Sequence, residues 1–196
     1  MHMNKTLLLL TITALVFTLG CGKKVSDKIT ESITEKILEQ SAGDGSAVSD
    51  VKVNDDEISY TVTDKDGAKT SVQASGDDVS IVSADGKSTF VSGDKAKVPD
   101  DFPKDVLVYK PAKVVSAMTG PEGRLVSLQS DDALDAIAAE YQREMKAQGW
   151  KEESFFKAEA QTLAIFRKDK RVATVSLNPE DKGTAINVMV VTEENE

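Results

Sequence analysis

Four patterns of apolar and polar positions follow one another along this chain: an unbroken apolar run, a stripe of period four, a stretch of strict alternation, and a mixed final third. The run covers 14 residues, Thr6 to Leu19. A helix needs about 20 apolar residues to cross ~30 Å of hydrocarbon, so this one is too short to stay in a membrane. Lys5 before it and Gly20 after it supply the positive and small-residue parts of a signal peptide, expected over residues 1–20.

Next, Val25, Ile29, Ile33 and Ile37 recur every four residues with Leu38 beside the last, which predicts an amphipathic helix over 26–40. Ser26 can cap its start and Gly43 can end it. The stripe must pack on something: its own downstream domain, a partner helix or a lipid surface. Lys23, Lys24, Lys28 and Lys36 balance Asp27, Glu31, Glu35 and Glu39, which argues against electrostatic adsorption to a membrane.

From Asp44 to about Val98 the period is two. Val51 and Val53, then Ile58, Tyr60 and Val62, then Thr70 and Val72, then Val79 and Ile81, then Phe90 alternate with polar residues, and Asp66-Gly67 and Asp85-Gly86 stand between them as turns. Thr61-Val62-Thr63 and Ser80-Ile81-Val82, each followed three residues later by glycine, look like two copies of one hairpin. Pro99 to Pro103 then breaks the pattern. Extended runs are expected at 106–109, 113–118 and 125–129, followed by a helix that Ser130 caps, Leu134, Ile137, Ala138, Tyr141 and Met145 bury, and Gly149 stops. Strands at 153–158, 162–168, 171–177 and 185–191 complete the chain. The fold class expected from these elements is α+β: an N-terminal amphipathic helix, an antiparallel β-meander, then a two-layer domain of one helix on an antiparallel sheet of five or six strands. The corresponding divisions are 1–20 (signal), 21–43 (anchor and helix), 44–98 (acidic meander) and 99–196 (α+β domain).

Composition narrows the chemistry. Losing residues 1–20 from the 196 removes one of 24 basic side chains and none of the 33 acidic ones, so the net charge falls from −9 to −10. Such a surface repels nucleic acid. The one histidine, His2, leaves with the signal, and Cys21 is the only cysteine. The mature chain therefore lacks the commonest general base and, once Cys21 is modified, the commonest transition-metal ligands and thiolate nucleophile. No cofactor and no metal are expected. The acidic turn at Asp64-Lys65-Asp66-Gly67 imitates half of a calcium loop, but the preceding and closing ligand positions fall on Val62 and Gln73. No Gly-x-Ser-x-Gly or Ser-x-x-Lys arrangement occurs, and Glu152 and Glu153, as neighbours on a strand, point apart.

Thr18-Leu19-Gly20-Cys21 resembles the lipobox of bacterial lipoprotein precursors, with Thr18 and Leu19 departing from the usual order and the Gly20-Cys21 pair in place. The resemblance implies cleavage after Gly20 and a thioether-linked diacylglycerol plus an amide-linked fatty acid, such as palmitate, on Cys21. Gly22 at the next position resembles an outer-membrane rather than an inner-membrane address. Phe102-Pro103-Lys104-Asp105-Val106 and Tyr141-(three residues)-Met145-Lys146-(two residues)-Gly149-Trp150 are similar to phrases in a group of uncharacterised envelope lipoproteins, a resemblance that brings no activity with it. The aromatic residues Tyr141, Trp150, Phe155, Phe156 and Phe166 are expected to form the core of the last domain. Strand alternation would turn one ring of Phe155-Phe156 outward as a possible partner contact. The functional expectation is a non-enzymatic, lipid-anchored protein on the periplasmic side of the cell envelope, acting by binding or within an envelope assembly. A structural spacer and a carboxylate-based hydrolase of envelope material are the alternatives.

Overall fold

The computed structural model describes residues 46–193 except Asp55 and Ala160. The signal segment, Gly20, Cys21 and the helix expected over 26–40 lie outside the described residues. The chain divides into two compact units between Lys87 and Ser88.

The first unit is a four-stranded antiparallel meander of β1 (Ala47–Val53), β2 (Glu57–Thr63), β3 (Lys69–Ser75) and β4 (Asp78–Ser83). Its turns are built as the acidic-glycine pairs predict. The Asp64 carboxylate accepts the backbone N–H groups of Asp66 and Ala68 at 2.9 and 2.8 Å, and Gly67 takes a positive φ of 81°. At the second copy, the Asp85 carboxylate accepts the Lys87 N–H at 3.0 Å and Gly86 donates to the Ser83 carbonyl. These carboxylates are occupied in closing turns.

The second unit contains β5 (Thr89–Ser92), β6 (Lys113–Gly120), β7 (Gly123–Ser130), α1 (Leu134–Ala147), β8 (Lys151–Ala158), β9 (Gln161–Lys168), β10 (Arg171–Pro179) and β11 (Thr184–Thr192). Its strands lie in the order β5-β6-β7-β11-β10-β9-β8, antiparallel throughout. After β7 the helix carries the chain to the far side of the sheet. There β8 forms the edge, and β9, β10 and β11 step back until β11 pairs with β7. The closure is tight: Thr184 pairs with Ser130, and Gly183, at φ 89°, passes so close that a Cβ would collide with the Ser130 carbonyl.

The expected α+β class is corrected by this count of elements. Among the described residues there are eleven strands and a single helix, so the architecture is sheet-dominated. The physical reason is coverage. A 14-residue helix is about 21 Å long, and α1 packs chiefly on β8, β9 and β10. The remaining core face of the second unit is covered by irregular chain. Phe102 and Val106 are buried in the same core as Val126, Ile137, Trp150 and Val188. The extended run expected at 106–109 is part of that irregular cover, a succession of turns closed by Phe102 N–H to Pro99 O, Val106 N–H to Pro103 O and Ala112 N–H to Tyr109 O.

The helix itself buries Ile137, Ala138, Tyr141 and Met145, on the predicted face. Its C-terminus is a complete Schellman closure: Gly149 at φ 84° donates to the Lys146 carbonyl, and Trp150 to that of Met145. Its N-terminus differs from expectation. Ser130 lies four residues before Leu134 and its hydroxyl accepts the Asp132 N–H at 3.1 Å, while the capping position is Ala133 with no side-chain bond.

Candidate binding surface

Asp105 lies in the irregular segment between β5 and β6 and ties three elements together. Its carboxylate accepts both guanidinium nitrogens of Arg171 at 2.8 Å each and the Lys168 ammonium at 2.7 Å. Its backbone carbonyl accepts the Trp150 indole N–H at 2.7 Å. Arg171 lies 4.9 Å above the Trp150 ring. Lys168 also donates to the Gln148 carbonyl at 2.7 Å, satisfying an orphan acceptor at the negative end of α1. The Arg171 fork and the Lys168 ammonium outweigh the cost of burial and hold the Asp105 carboxyl far below the usual carboxylate range. The same bonds raise the Arg171 guanidinium. The far end of the segment is pinned too: the Tyr109 hydroxyl donates to Asp132 at 2.8 Å, and that carboxylate raises the phenol.

Held in this way, the segment and the C-terminal turns of α1 enclose a groove of about 550 Å³, within the range of ordinary ligand sites. Val98, Phe102, Leu107 and Val108 give it an apolar lining, and Lys104, Lys110 and Glu144 add charge. The phrase Phe102-Pro103-Lys104-Asp105-Val106 thus makes both the groove wall and the ionic staple. Nothing in the composition of the chain singles out Asp105, Lys168 and Arg171. The signal that could have found them was the phrase itself, an acidic residue fixed between two buried apolar ones.

Phe155 and Phe156 belong to β8, the edge strand. Trp150, Tyr141 and Phe166 are buried as expected, but both phenylalanines are exposed, at 37% and 59%. The expectation of one ring in and one ring out fails for a geometric reason: β8 has a neighbour on one side only, and seven of its eight residues are exposed. Phe155 pairs with Ala164 on the face that carries α1, and Phe156 with Leu163 on the opposite face. A bulge between Glu152 and Ser154 kinks the strand just before them. There Glu153 pairs with Arg167 at 2.6 Å, and Glu152 accepts a bond from Gln142 at 2.8 Å. Arg167 is also paired with Glu193, and these carboxylates hold its guanidinium far above its ordinary value. Among the described residues no group of three acidic, histidine or cysteine side chains is placed to hold a metal.

A family model described as START domain-like matches residues 114–185, from β6 to the beginning of β11, and so takes in α1 and the β8 edge. No curated protein and no solved structure matches the chain. The match points to a domain of uncharacterised role in the second unit.

Proposed function

We propose that this chain is a non-enzymatic, lipid-anchored protein of the cell envelope that works by binding, with Cys21 acylated as the mature N-terminus and β8 offered to an envelope partner. The observation that carries the binding half is the exposure of two consecutive phenylalanines on a strand whose outer backbone edge has no neighbour in the sheet. Such an edge takes an added strand through its free N–H and C=O groups, and flanking apolar side chains supply the grip. Asp105 supports the non-enzymatic reading. The best-buttressed carboxylate among those described is held ionised by two cations, the opposite of the raised value a general acid needs.

The anchoring half rests on the lipobox-like sequence. Each buried methylene of an acyl chain contributes ~0.8 kcal/mol, so two or three chains hold a protein on its bilayer for long times. The test is made in intact bacteria expressing the full chain. Palmitate labelling and membrane fractionation are expected for the natural sequence and lost in Cys21→Ser; an unlabelled, cytosolic protein would overturn the anchor. For the contact, Phe155→Ser and Phe156→Ser are expected to abolish in-cell crosslinks to the partner while circular dichroism and Trp150 fluorescence stay unchanged. Crosslinks that survive both substitutions would remove β8 from the reading.

A further inference from the structure

The edge strand β8 is charge-complementary to itself read backwards. Its residues run Lys151-Glu152-Glu153-Ser154-Phe155-Phe156-Lys157-Ala158, with Glu159 in the turn that follows. Carboxylates stand before the two phenylalanines and a lysine after them, so an antiparallel copy laid along the free edge brings opposite charges together.

Few registers of such a pair are open. A two-fold axis relates neighbouring antiparallel strands only when it is normal to the sheet, and it then keeps each face of one copy level with the same face of the other. Residues opposite one another must share a face, so the axis passes through a residue and not between two. An axis through Ser154 brings Lys157 alongside Lys151 of the second copy. One through Phe156 sets Glu153 near Glu159 of the second copy. Both are juxtapositions of like charge, which destabilise a cross-strand pair. An axis through Phe155 sets Phe155 against its own copy, Phe156 against Ser154, and Lys157 against the bulge that holds Glu152 and Glu153. The faces agree there. Lys157 pairs with Asp135 of α1 at 2.6 Å, and Glu152 accepts from Gln142 of α1 at 2.8 Å, so both stand on the helix side of the sheet. Lys157 is more than half exposed, and its ammonium has donors to spare beside Asp135.

From this register we infer that the partner of β8 is a second copy of this chain, paired edge to edge about a two-fold axis through Phe155. The inference rests on the reading of β8 as the contact. The pair has an apolar centre and ionic ends. At the axis the Cα atoms of the two Phe155 residues come within about 4.5–5.5 Å, so the rings, each 37% exposed in the single chain, cover one another. α1 lies over β8, β9 and β10, about one strand spacing in from the edge, which leaves it about 14 Å from its copy. Packed helices stand about 8–10 Å apart, so the slot between the two has room for the rings.

The test uses intact bacteria that express the full chain in two differently tagged copies, with a photoreactive phenylalanine analogue in place of Phe156. Illumination is expected to join the two tags. Lys157→Glu in both copies, or Glu152→Lys with Glu153→Lys in both, sets like charges opposite one another and is expected to lower the yield about tenfold or more. One copy of each variant expressed together has opposite charges at both ends again and is expected to recover the natural yield, which a loss of folding cannot produce. An adduct between the tags whose yield ignores these changes overturns the inference, and so does a mixture that stays unjoined. Adducts with a different protein also overturn it, and leave β8 a contact for that protein. The absence of any adduct at this position overturns it together with the reading of β8 on which it rests.

Discussion

Trp150→Ala is expected to destabilise the second unit by about 4 kcal/mol, the largest effect of any single truncation argued for this protein. The indole is 2% exposed and packs in the core shared by Phe102, Val106 and Tyr141. It is also the meeting point of three contacts: its N–H on the Asp105 carbonyl at 2.7 Å, Arg171 over its ring, and its own backbone N–H closing the helix end on Met145. Truncation leaves a cavity where the irregular cover meets α1 and unpairs a part-buried carbonyl. Trp150→Phe separates the two: it keeps most of the apolar body and loses the donor, and is expected to cost about 1–2 kcal/mol. Exchange of the slowest α1 and β9 amides reads both values. Equal costs for the two variants would mean that the hydrogen bond, and not the packing, carries the site.

The elements were largely legible because period and punctuation coincide with what the backbone needs. Alternation in β9, β10 and β11 places Ala164, Val175 and Val188 in one buried row, as period two requires. Gly149 followed by Trp150 spelled the helix stop. What was not legible is how much of the second layer would be helix. Val106-Leu107-Val108-Tyr109 has the composition of a strand, and its apolar side chains do face the core. Its carbonyl and N–H groups are instead spent in local turns set by Pro99, Pro103 and Pro111, and the segment is fixed by side chains 63 and 66 positions away, Lys168 and Arg171. No local pattern encodes a partner at that separation. The same applies to Phe155 and Phe156: their alternation was readable, but the fact that β8 ends the sheet is a property of topology. Ser130 shows a smaller failure of the same kind. A serine before acidic residues has two local options, and here the turn on Asp132 is favoured over the cap because Thr184 and Gly183 hold β7 and β11 together up to Ser130.

The Asp105 staple and the β8 edge bear on function in opposite ways. The staple around Asp105 is a positioning device that makes the groove beside it a fixed shape, since the wall carrying Phe102, Lys104 and Leu107 cannot shift without breaking charge-assisted bonds. The β8 edge is open by construction, kinked by a bulge and flanked by Lys151 and Lys157, which are the devices that keep an edge from pairing indiscriminately. A rigid groove and a guarded edge in the same unit fit a protein that selects what it holds.

Asp105→Asn is expected to destabilise the second unit by about 2 kcal/mol at neutral pH, since three charge-assisted bonds become weaker ones and two cations lose their counter-charge. The group is about a quarter exposed, which keeps the figure below that of a fully buried pair. The pH dependence identifies the source. The folded carboxyl titrates below its unfolded value of ~3.9, so the stabilisation is fully present above that value and is lost as pH falls towards the folded one. The natural chain and the Asn variant should therefore differ by a constant amount from neutral pH down to about 5, and converge steadily below ~4. Urea midpoints of both proteins across that range make the measurement. Convergence assigns the stabilisation to the charge of Asp105; a gap that stays constant into strong acid assigns it to the shape of the side chain, and the staple would then be a packing feature.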